Sequence, residues 1–298
     1  MSAIRPSDLS ISRRAAASRA SSAGIAAARA RPPLRVGLAA GLAWALALTA
    51  SGPAAADMIG HGGMVRALAI SPDGRIVLTG SFDYTARLWD FVEQNEVAEL
   101  NEHLGPVNAV AFLPDGRRAL TVSDDHSAIL WDLESSTLLR RFNGHQAKVM
   151  AVAVSRDGAL AATGGWDRTL RLWNAATGEL VRIIPQPSNV NAVAFGARGK
   201  VVVSGAHDGA LRVWNTASGA FIGILEGHDW GVTQIAVSPD GTTLLSASTD
   251  ETVRLWDLPG LSEIRTMKGH DGPVFGAVFG PDGKTALTAG RDGFIIHW

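Results

Sequence analysis

The sequence predicts an all-β fold built from six similar units, and three observations support this prediction. Tryptophan recurs at an almost constant spacing along the second part of the chain, at Trp89, Trp131, Trp173, Trp214, Trp256 and Trp298. An Asp lies six positions before each of these tryptophans, and a Ser or Thr lies ten positions before it. Stretches such as residues 85–89 alternate apolar and polar side chains, as half-buried strands do. A fixed period of this length indicates stacked units that cannot bury their apolar faces alone.

The turn between the first two strands of a unit is also recognisable. A Pro-Asp-Gly sequence ends residues 71–74, 113–116, 238–241 and 280–283. Proline fixes φ in such a turn, and glycine accepts the conformation that other residues resist. No segment after residue 57 has the apolar spacing of a helix, so strands and turns account for this part of the chain.

Composition excludes several classes of protein. The chain has 298 residues, 46% of them hydrophobic, which excludes a disordered chain and allows one large domain or two ordinary ones. It has no Cys, which excludes disulfides, thiolate metal sites, Cys nucleophiles and covalent c-type haem attachment. Residues 1–56 hold seven Arg and one acidic residue, whereas the rest holds 20 basic and 27 acidic residues. An acidic body argues against a nucleic-acid partner.

Residues 1–56 predict a non-globular leader. An Arg-rich region precedes an apolar run at residues 36–50 and a small-residue triplet at residues 54–56. This order is typical of a secretory signal peptide, with cleavage after Ala56. The alternatives are a transit peptide and an uncleaved anchor, since residues 36–56 carry no charge over nearly the length that spans a bilayer. We therefore expect a periplasmic or secreted protein, or one anchored to the inner membrane if the leader is uncleaved.

The repeated residues resemble those of the WD-repeat β-propeller family. In five units a His lies 28 positions before the Trp of a Trp-Asp-like pair, and the resemblance covers residues 57–298. It implies six four-stranded blades of an exported bacterial protein, each blade braced by a buried chain from indole to hydroxyl to imidazole to carboxylate. Such networks satisfy buried donors and make a blade rigid. The predicted structural tetrads are His61, Thr79, Asp83, Trp89; His103, Thr121, Asp125, Trp131; His145, Thr163, Asp167, Trp173; Ser204, Asp208, Trp214 in the incomplete fourth; His228, Ser246, Asp250, Trp256; and His270, Thr288, Asp292, Trp298.

Two units depart from the pattern. The fourth lacks the His, because its position falls within residues 185–188, and residues 197–199 replace the Pro-Asp-Gly turn. We expect a blade that is less stable or that forms a binding edge. The sixth stops at Trp298, in its third strand. Residues 53–58 would have to supply the fourth strand, unless the last blade has three strands and an exposed edge. Cleavage after Ala56 would remove most of that segment.

The repeated Ser or Thr, His and Asp do not predict a hydrolase. A catalytic group occurs once, whereas a constellation repeated around a ring is scaffold. The histidines outside the tetrads, His126, His207 and His297, show no metal-ligand spacing. We expect no metal, no cofactor and no enzymatic activity. The alternative is a small-ligand-binding or catalytic propeller that uses its central channel, where Arg66, Asn108 and Asn191 would lie at the mouth.

One loop face carries the functional prediction. Trp166 and Trp230 are neither repeat markers nor leader residues, and both map to the face that carries the loops entering each unit. Exposed aromatic, Met and Arg side chains are typical of interface hot spots, although these tryptophans would alternatively pack on neighbouring loops. We predict a scaffold that binds a protein or peptide there, a separate periplasmic cytochrome being one candidate. The predicted partner-binding residues are Met64, Arg66, Phe82, Lys148, Met150, Trp166, His207, Trp230, Phe275 and Arg291.

Overall fold

The computed structural model describes residues 59–298 and confirms the predicted all-β propeller there. The described strands form six antiparallel sheets, five with four strands and one with three, and each sheet is a blade. Strands pair in chain order within every blade. No helix within residues 59–298 is long and apolar enough to cross a membrane. The predicted leader, its cleavage site and nearly all of the predicted ring-closing segment lie outside the described residues.

Equivalent strands have closely matching bounds in the six blades. The innermost strands are β1 (Val65–Ile70), β5 (Val107–Phe112), β9 (Val149–Val154), β13 (Val190–Gly196), β17 (Val232–Val237) and β21 (Val274–Phe279). The second strands are β2 (Ile76–Ser81), β6 (Arg118–Ser123), β10 (Leu160–Gly165), β14 (Val201–Ala206), β18 (Thr243–Ser248) and β22 (Ala286–Gly290). The third strands are β3 (Ala86–Asp90), β7 (Ala128–Asp132), β11 (Thr169–Asn174), β15 (Leu211–Asn215), β19 (Thr252–Asp257) and β23 (Ile295–His297). The outer strands are β4 (Asn95–Leu100), β8 (Thr137–Phe142), β12 (Leu180–Pro185), β16 (Phe221–Leu225) and β20 (Ser262–Lys268).

The inner strands make the successive contacts of the ring. Strand β1 lies against β5, β5 against β9, β9 against β13, β13 against β17, and β17 against β21. The last blade has three strands within the described residues, which is one of the alternatives that the sequence left open. Its third strand, β23, begins with the exposed Ile295 and follows the exposed Phe294. Because the blades are equivalent and follow one another around the ring, loops that connect equivalent strands lie on the same face.

The hydrophobic core lies between blades rather than within one blade. Leu78 and Leu88 of the first blade pack with Ile129 and Trp131 of the second, and similar clusters join each later blade to the next. The repeat Trp therefore covers the face of the preceding blade. This arrangement explains the sequence period, because one repeat alone leaves both its apolar faces exposed.

The turn after the tetrad Asp has one conformation in every blade. Its second residue has a positive φ throughout, between 56° and 83°. Glycine holds this position in two blades, and bulkier residues hold it in the other four: Tyr84, His126, Arg168 and Glu251. The turn thus accepts strained residues because the aspartate side chain beside it fixes the backbone, as when Asp83 accepts the amide hydrogen of Thr85 at 3.0 Å.

Candidate interaction surface at the channel mouth

The structure brings the sequence-predicted tetrad residues together in five blades. In the second blade, Trp131 Nε1 donates to Thr121 Oγ1 at 2.8 Å, Thr121 lies 2.7 Å from His103 Nε2, and His103 Nδ1 lies 2.7 Å from Asp125. The other four complete tetrads repeat these three contacts, every one of them at 2.7 or 2.8 Å. The hydroxyl residue of each tetrad lies on the second strand, and the Trp belongs to the third strand or, in the sixth blade, directly follows it. The His precedes the first strand, and the Asp follows the second. The tetrads lock the inner loops to the body of each blade.

In the third-blade tetrad, protonation favours a neutral His145 ring beside an ionised Asp167 carboxylate. Burial would raise the pKa of Asp125, but hydrogen bonding and the charge of His103, together with the amide of Leu104, outweigh burial and hold that pKa well below its usual range. Burial lowers the pKa of His145, although Asp167 opposes the shift. With a neutral ring protonated at Nδ1, Nε2 accepts the hydroxyl hydrogen. The Thr163 hydroxyl is fully buried and bonded on both sides, so no substrate reaches it.

The fourth blade replaces the missing imidazole with an amide that sequence analysis did not recognise. Ser204 donates to Gln186 Oε1 at 3.0 Å, and Trp214 Nε1 donates to Ser204 at 3.2 Å. Asp208 turns instead to Arg212, whose Nη2 lies 2.7 Å away. The buried Gln186 thus satisfies the hydroxyl, but its hydrogen bond does not reach the carboxylate. The predicted loss of the imidazole is accompanied by a substitute, and its position 28 residues before Trp214, where the other repeats have His, was the available signal.

A β-bulge sets the side chains at the mouth of the channel. In every inner strand the register shifts by one residue at the second position, so that residue has no partner on the second strand. Bulges re-aim a side chain and are common near binding sites. The six bulged residues are Arg66, Asn108, Met150, Asn191, Thr233 and Phe275. The sequence placed them at the mouth, but it could not show the bulge.

Three of the six bulged residues clamp their blade to the next one. Asn108 Nδ2 donates to the Val149 carbonyl at 2.9 Å, and Asn191 Nδ2 donates to the Val232 carbonyl at 3.0 Å. Thr233 Oγ1 donates to the carbonyl of Val274. We call these hydrogen bonds the inter-blade clamps. They occupy the polar groups that the sequence offered as a small-ligand site with Arg66.

Polar and aromatic contacts lie within the first blade and run from the second blade to the fourth. The guanidinium of Arg66 lies 5.8 Å from the ring centre of Phe82. Asp124 accepts from Asn108 at 2.7 Å and pairs with Lys148 at 2.5 Å. These contacts position one half of the mouth before any partner arrives.

The two tryptophans outside the tetrads and the leader lie on this face, and they differ in how many contacts their side chains make within the protein. Lys148 Nζ lies 5.6 Å from the Trp166 ring, and Trp166 Nε1 donates to Asn191 Oδ1 at 3.1 Å. Trp166 remains 43% exposed and Trp230 is 68% exposed. The Trp230 loop is nonetheless fixed, because Ser248 Oγ donates to the Trp230 carbonyl at 3.0 Å. A rigid backbone therefore presents a solvent-facing indole.

Most of the other predicted partner-binding residues also lie at the surface. Met64, Phe82, Lys148, His207, Phe275 and Arg291 are exposed, and Arg66 is partly buried. Met150 differs from the expectation for an accessible residue, since it is 8% exposed and lies in the wall of the channel. Sequence analysis missed Leu104, which is 84% exposed in the loop that precedes β5. Its position immediately after the tetrad His was the available signal.

The central channel holds a cavity of about 1030 Å³. Alanine and β-branched or other apolar side chains of the inner strands dominate its wall, and Arg66 and Arg156 are the charged residues that line it. Within residues 59–298, no group of three or more His, Asp or Glu side chains lies close enough together to hold a metal ion. The wall therefore offers cations and apolar surface, but within the described chain it offers no carboxylate.

Comparison with known proteins assigns the repeats. The family model described as WD domain, G-beta repeat matches residues 54–90, 94–132, 136–174, 178–215, 219–257 and 261–298. A 44-residue stretch is 46% identical to the nuclear distribution protein PAC1 of Scheffersomyces stipitis, and it covers 15% of this chain and 8% of that protein. The chain therefore spans a small part of the length of this relative. From the second match onward, each match runs from the outer strand of one blade through the first three strands of the next. With six matched repeats for six blades, the chain belongs to the WD40 repeat family, whose propellers are typically protein-interaction scaffolds.

Proposed function

We propose that this chain is a non-enzymatic scaffold that binds a protein or peptide through the loop face at the channel mouth. The observation that carries the proposal is the pair Trp166 and Trp230, both substantially exposed on one face and both mounted on fixed backbone. Exposed tryptophan beside Arg is typical of interface hot spots.

The expected energy follows from the area that a partner would cover. A whole indole presents roughly 150–250 Å² to water, and Trp230 is already partly covered. Burying the part that remains exposed contributes about 2–4 kcal/mol at ~25 cal/mol per Å². A loss of this size lowers affinity by about 30-fold or more. Trp230 should therefore dominate binding, because it is the more exposed of the two and Trp166 already has polar contacts within the protein.

The compartment is part of the proposal. Residues 1–56 have the order of charge, apolar run and small residues that is typical of an export signal, so we place the scaffold in the periplasm or outside the cell. Its partner is then a protein or peptide of the same compartment, and a periplasmic cytochrome is one candidate class. Covalently attached c-type haem would belong to that partner, because this chain has no Cys.

Quantitative co-purification from the native cell envelope tests the proposal. Wild type is compared with Trp166→Ala/Trp230→Ala and with the matched control Val97→Ala/Ile264→Ala, which truncates two exposed apolar residues of the outer strands. We expect a specific partner with wild type and with the control, and its loss with the tryptophan variant. Near-identical thermal unfolding of the three proteins shows that folding is unchanged.

Two results would contradict the proposal. One is a tryptophan variant that retains every partner of wild type, which would place binding on another surface. The other is a wild-type protein that retains nothing specific. In that case the cavity of about 1030 Å³ favours the second candidate, a protein that binds a small ligand in its central channel.

A further inference from the structure

Arg66 is the only charged residue among the six bulged positions, and it lies where the cavity opens. Its guanidinium stacks near Phe82 but makes no hydrogen bond or ion pair with any described residue. Burial lowers the pKa of Arg66, and the charge of Asp124 opposes that shift. No nitrogen of Arg66 is both buried and unpaired, so its donors face water and have capacity for an acceptor that a partner brings.

The nearest carboxylate does not fill that capacity. Asp124 Oδ1 accepts the amide hydrogen of Asn108, and Asp124 Oδ2 pairs with Lys148. Lys148 neutralises the negative charge of Asp124, so these groups leave one net positive charge at the mouth, on Arg66. The residues at the equivalent positions of other blades make no hydrogen bond to Arg66 within the described chain, and Asn108, Asn191 and Thr233 instead donate to the next blade in the inter-blade clamps.

We infer that Arg66 binds the carboxylate of an Asp or Glu side chain that the partner inserts into the channel mouth. The inference rests on the proposed function and names the chemistry that the partner must present. A planar guanidinium matches a carboxylate with two parallel hydrogen bonds. A single arginine suits a singly charged group, whereas phosphate recognition generally uses clusters of arginines.

The surroundings of Arg66 favour a protein side chain over a free small acid. Trp230 and Met64, in loops that enter a blade, and Phe275, at a bulged position, are exposed apolar groups, and a small molecule seated at Arg66 would leave them in water. A peptide chain that crosses the mouth covers them and directs one acidic side chain inward. Aromatic contact then supplies most of the affinity, and Arg66 supplies the selectivity.

The test uses an array of ten-residue peptides that each carry one aromatic residue and one Glu, with twins in which Gln replaces Glu. The labelled full chain is compared with Arg66→Met, with Arg66→Lys, and with Arg265→Met as a matched control that removes an exposed arginine of the outer strand β20. We expect wild type and the control to prefer Glu peptides over their twins by about tenfold or more. Arg66→Met should abolish the preference while leaving the affinity for Gln twins unchanged, and Arg66→Lys should retain part of it.

The outcomes separate this inference from the proposed function. If Trp230→Ala abolishes peptide binding but wild type shows no preference for Glu, or if Arg66→Met retains the preference, the inference is refuted and the scaffold stands. If no peptide binds detectably, both fail. Free glutarate is added as a competitor. Displacement of the peptide by glutarate at concentrations near the peptide Kd would assign Arg66 to a small acid and overturn the choice of a protein side chain.

Discussion

Replacing Thr121 with Val is expected to destabilise the propeller far more than the equivalent change in the fourth blade. Val keeps the shape of Thr but removes the oxygen that bonds both Trp131 and His103. Both partners are buried, so each loses its hydrogen bond with no water to replace it. An unsatisfied buried group costs about 1–3 kcal/mol, which predicts a loss of roughly 2–5 kcal/mol in the free energy of unfolding.

The fourth blade supplies the control through Ser204→Ala. Its indole hydrogen bond is longer, at 3.2 Å, and the indole of Trp214 is only partly buried. The amide of Gln186 can rotate towards another partner, so we expect a loss of about 1–2 kcal/mol. Urea unfolding followed by tryptophan fluorescence measures both values, with equal m-values showing that the denatured states are comparable. A Thr121→Val variant as stable as wild type, or one no less stable than Ser204→Ala, would refute the reasoning.

Three further predictions concern pH, backbone strain and blade packing. Because the folded-state pKa of His145 lies below its usual value, this residue contributes stability above about pH 6.5 that is lost as the pH falls through the folded pKa. The tetrad aspartates add a second loss of stability below about pH 4. His145→Gln should flatten the upper limb of a curve of stability against pH, and an unchanged limb would contradict the assignment. Arg168 has a φ of 56°, which glycine adopts more readily, so Arg168→Gly should raise the free energy of unfolding by about 0.5 kcal/mol in thermal unfolding. Gly293 has a φ of 83° at the equivalent position, so the control Gly293→Ala should destabilise the protein. At Gly164 an added Cβ would lie 2.4 Å from Val190, so Gly164→Ala should cost roughly 1–3 kcal/mol in urea unfolding, and a neutral result would show that these blades can separate freely.

The fold was predictable from the sequence because each repeat carries the same pattern of residues and so predicts the same strands independently. A Trp, an Asp and a hydroxyl in fixed register identify the strands that carry them, and six occurrences remove the ambiguity of any one. The exposed face was predictable in part, because Trp166 and Trp230 are the tryptophans left after the repeats are accounted for. A residue without a role in the scaffold is the one free to face a partner.

Other features of the candidate site depend on relationships between blades, which a single repeat cannot show. Gln186 stands at the His position of its repeat, 28 residues before Trp214, but the hydrogen bond by which its amide replaces the imidazole beside Ser204 is seen only in the structure. Asn108 looked like a ligand-binding residue, yet its amide reaches a carbonyl 41 residues along the chain. Met150 was expected to be accessible, but it is 8% exposed and forms part of the channel wall. Distances of this kind follow from closure of the ring and have no local signature.

The unequal distribution of the inter-blade clamps divides the ring into segments of different stiffness. Clamps join the second blade to the third, the fourth to the fifth, and the fifth to the sixth, and the hydrogen bond from Trp166 to Asn191 joins the third to the fourth. Arg66 and Phe275 provide no clamp at the two joints of the first blade within the described chain, so amide hydrogen exchange at the inner strands should be fastest beside these joints, where opening breaks fewer hydrogen bonds. A ring with two such joints can change its diameter slightly without unfolding a blade. The mouth of the channel would widen first on the side of Arg66, between the first blade and its neighbours.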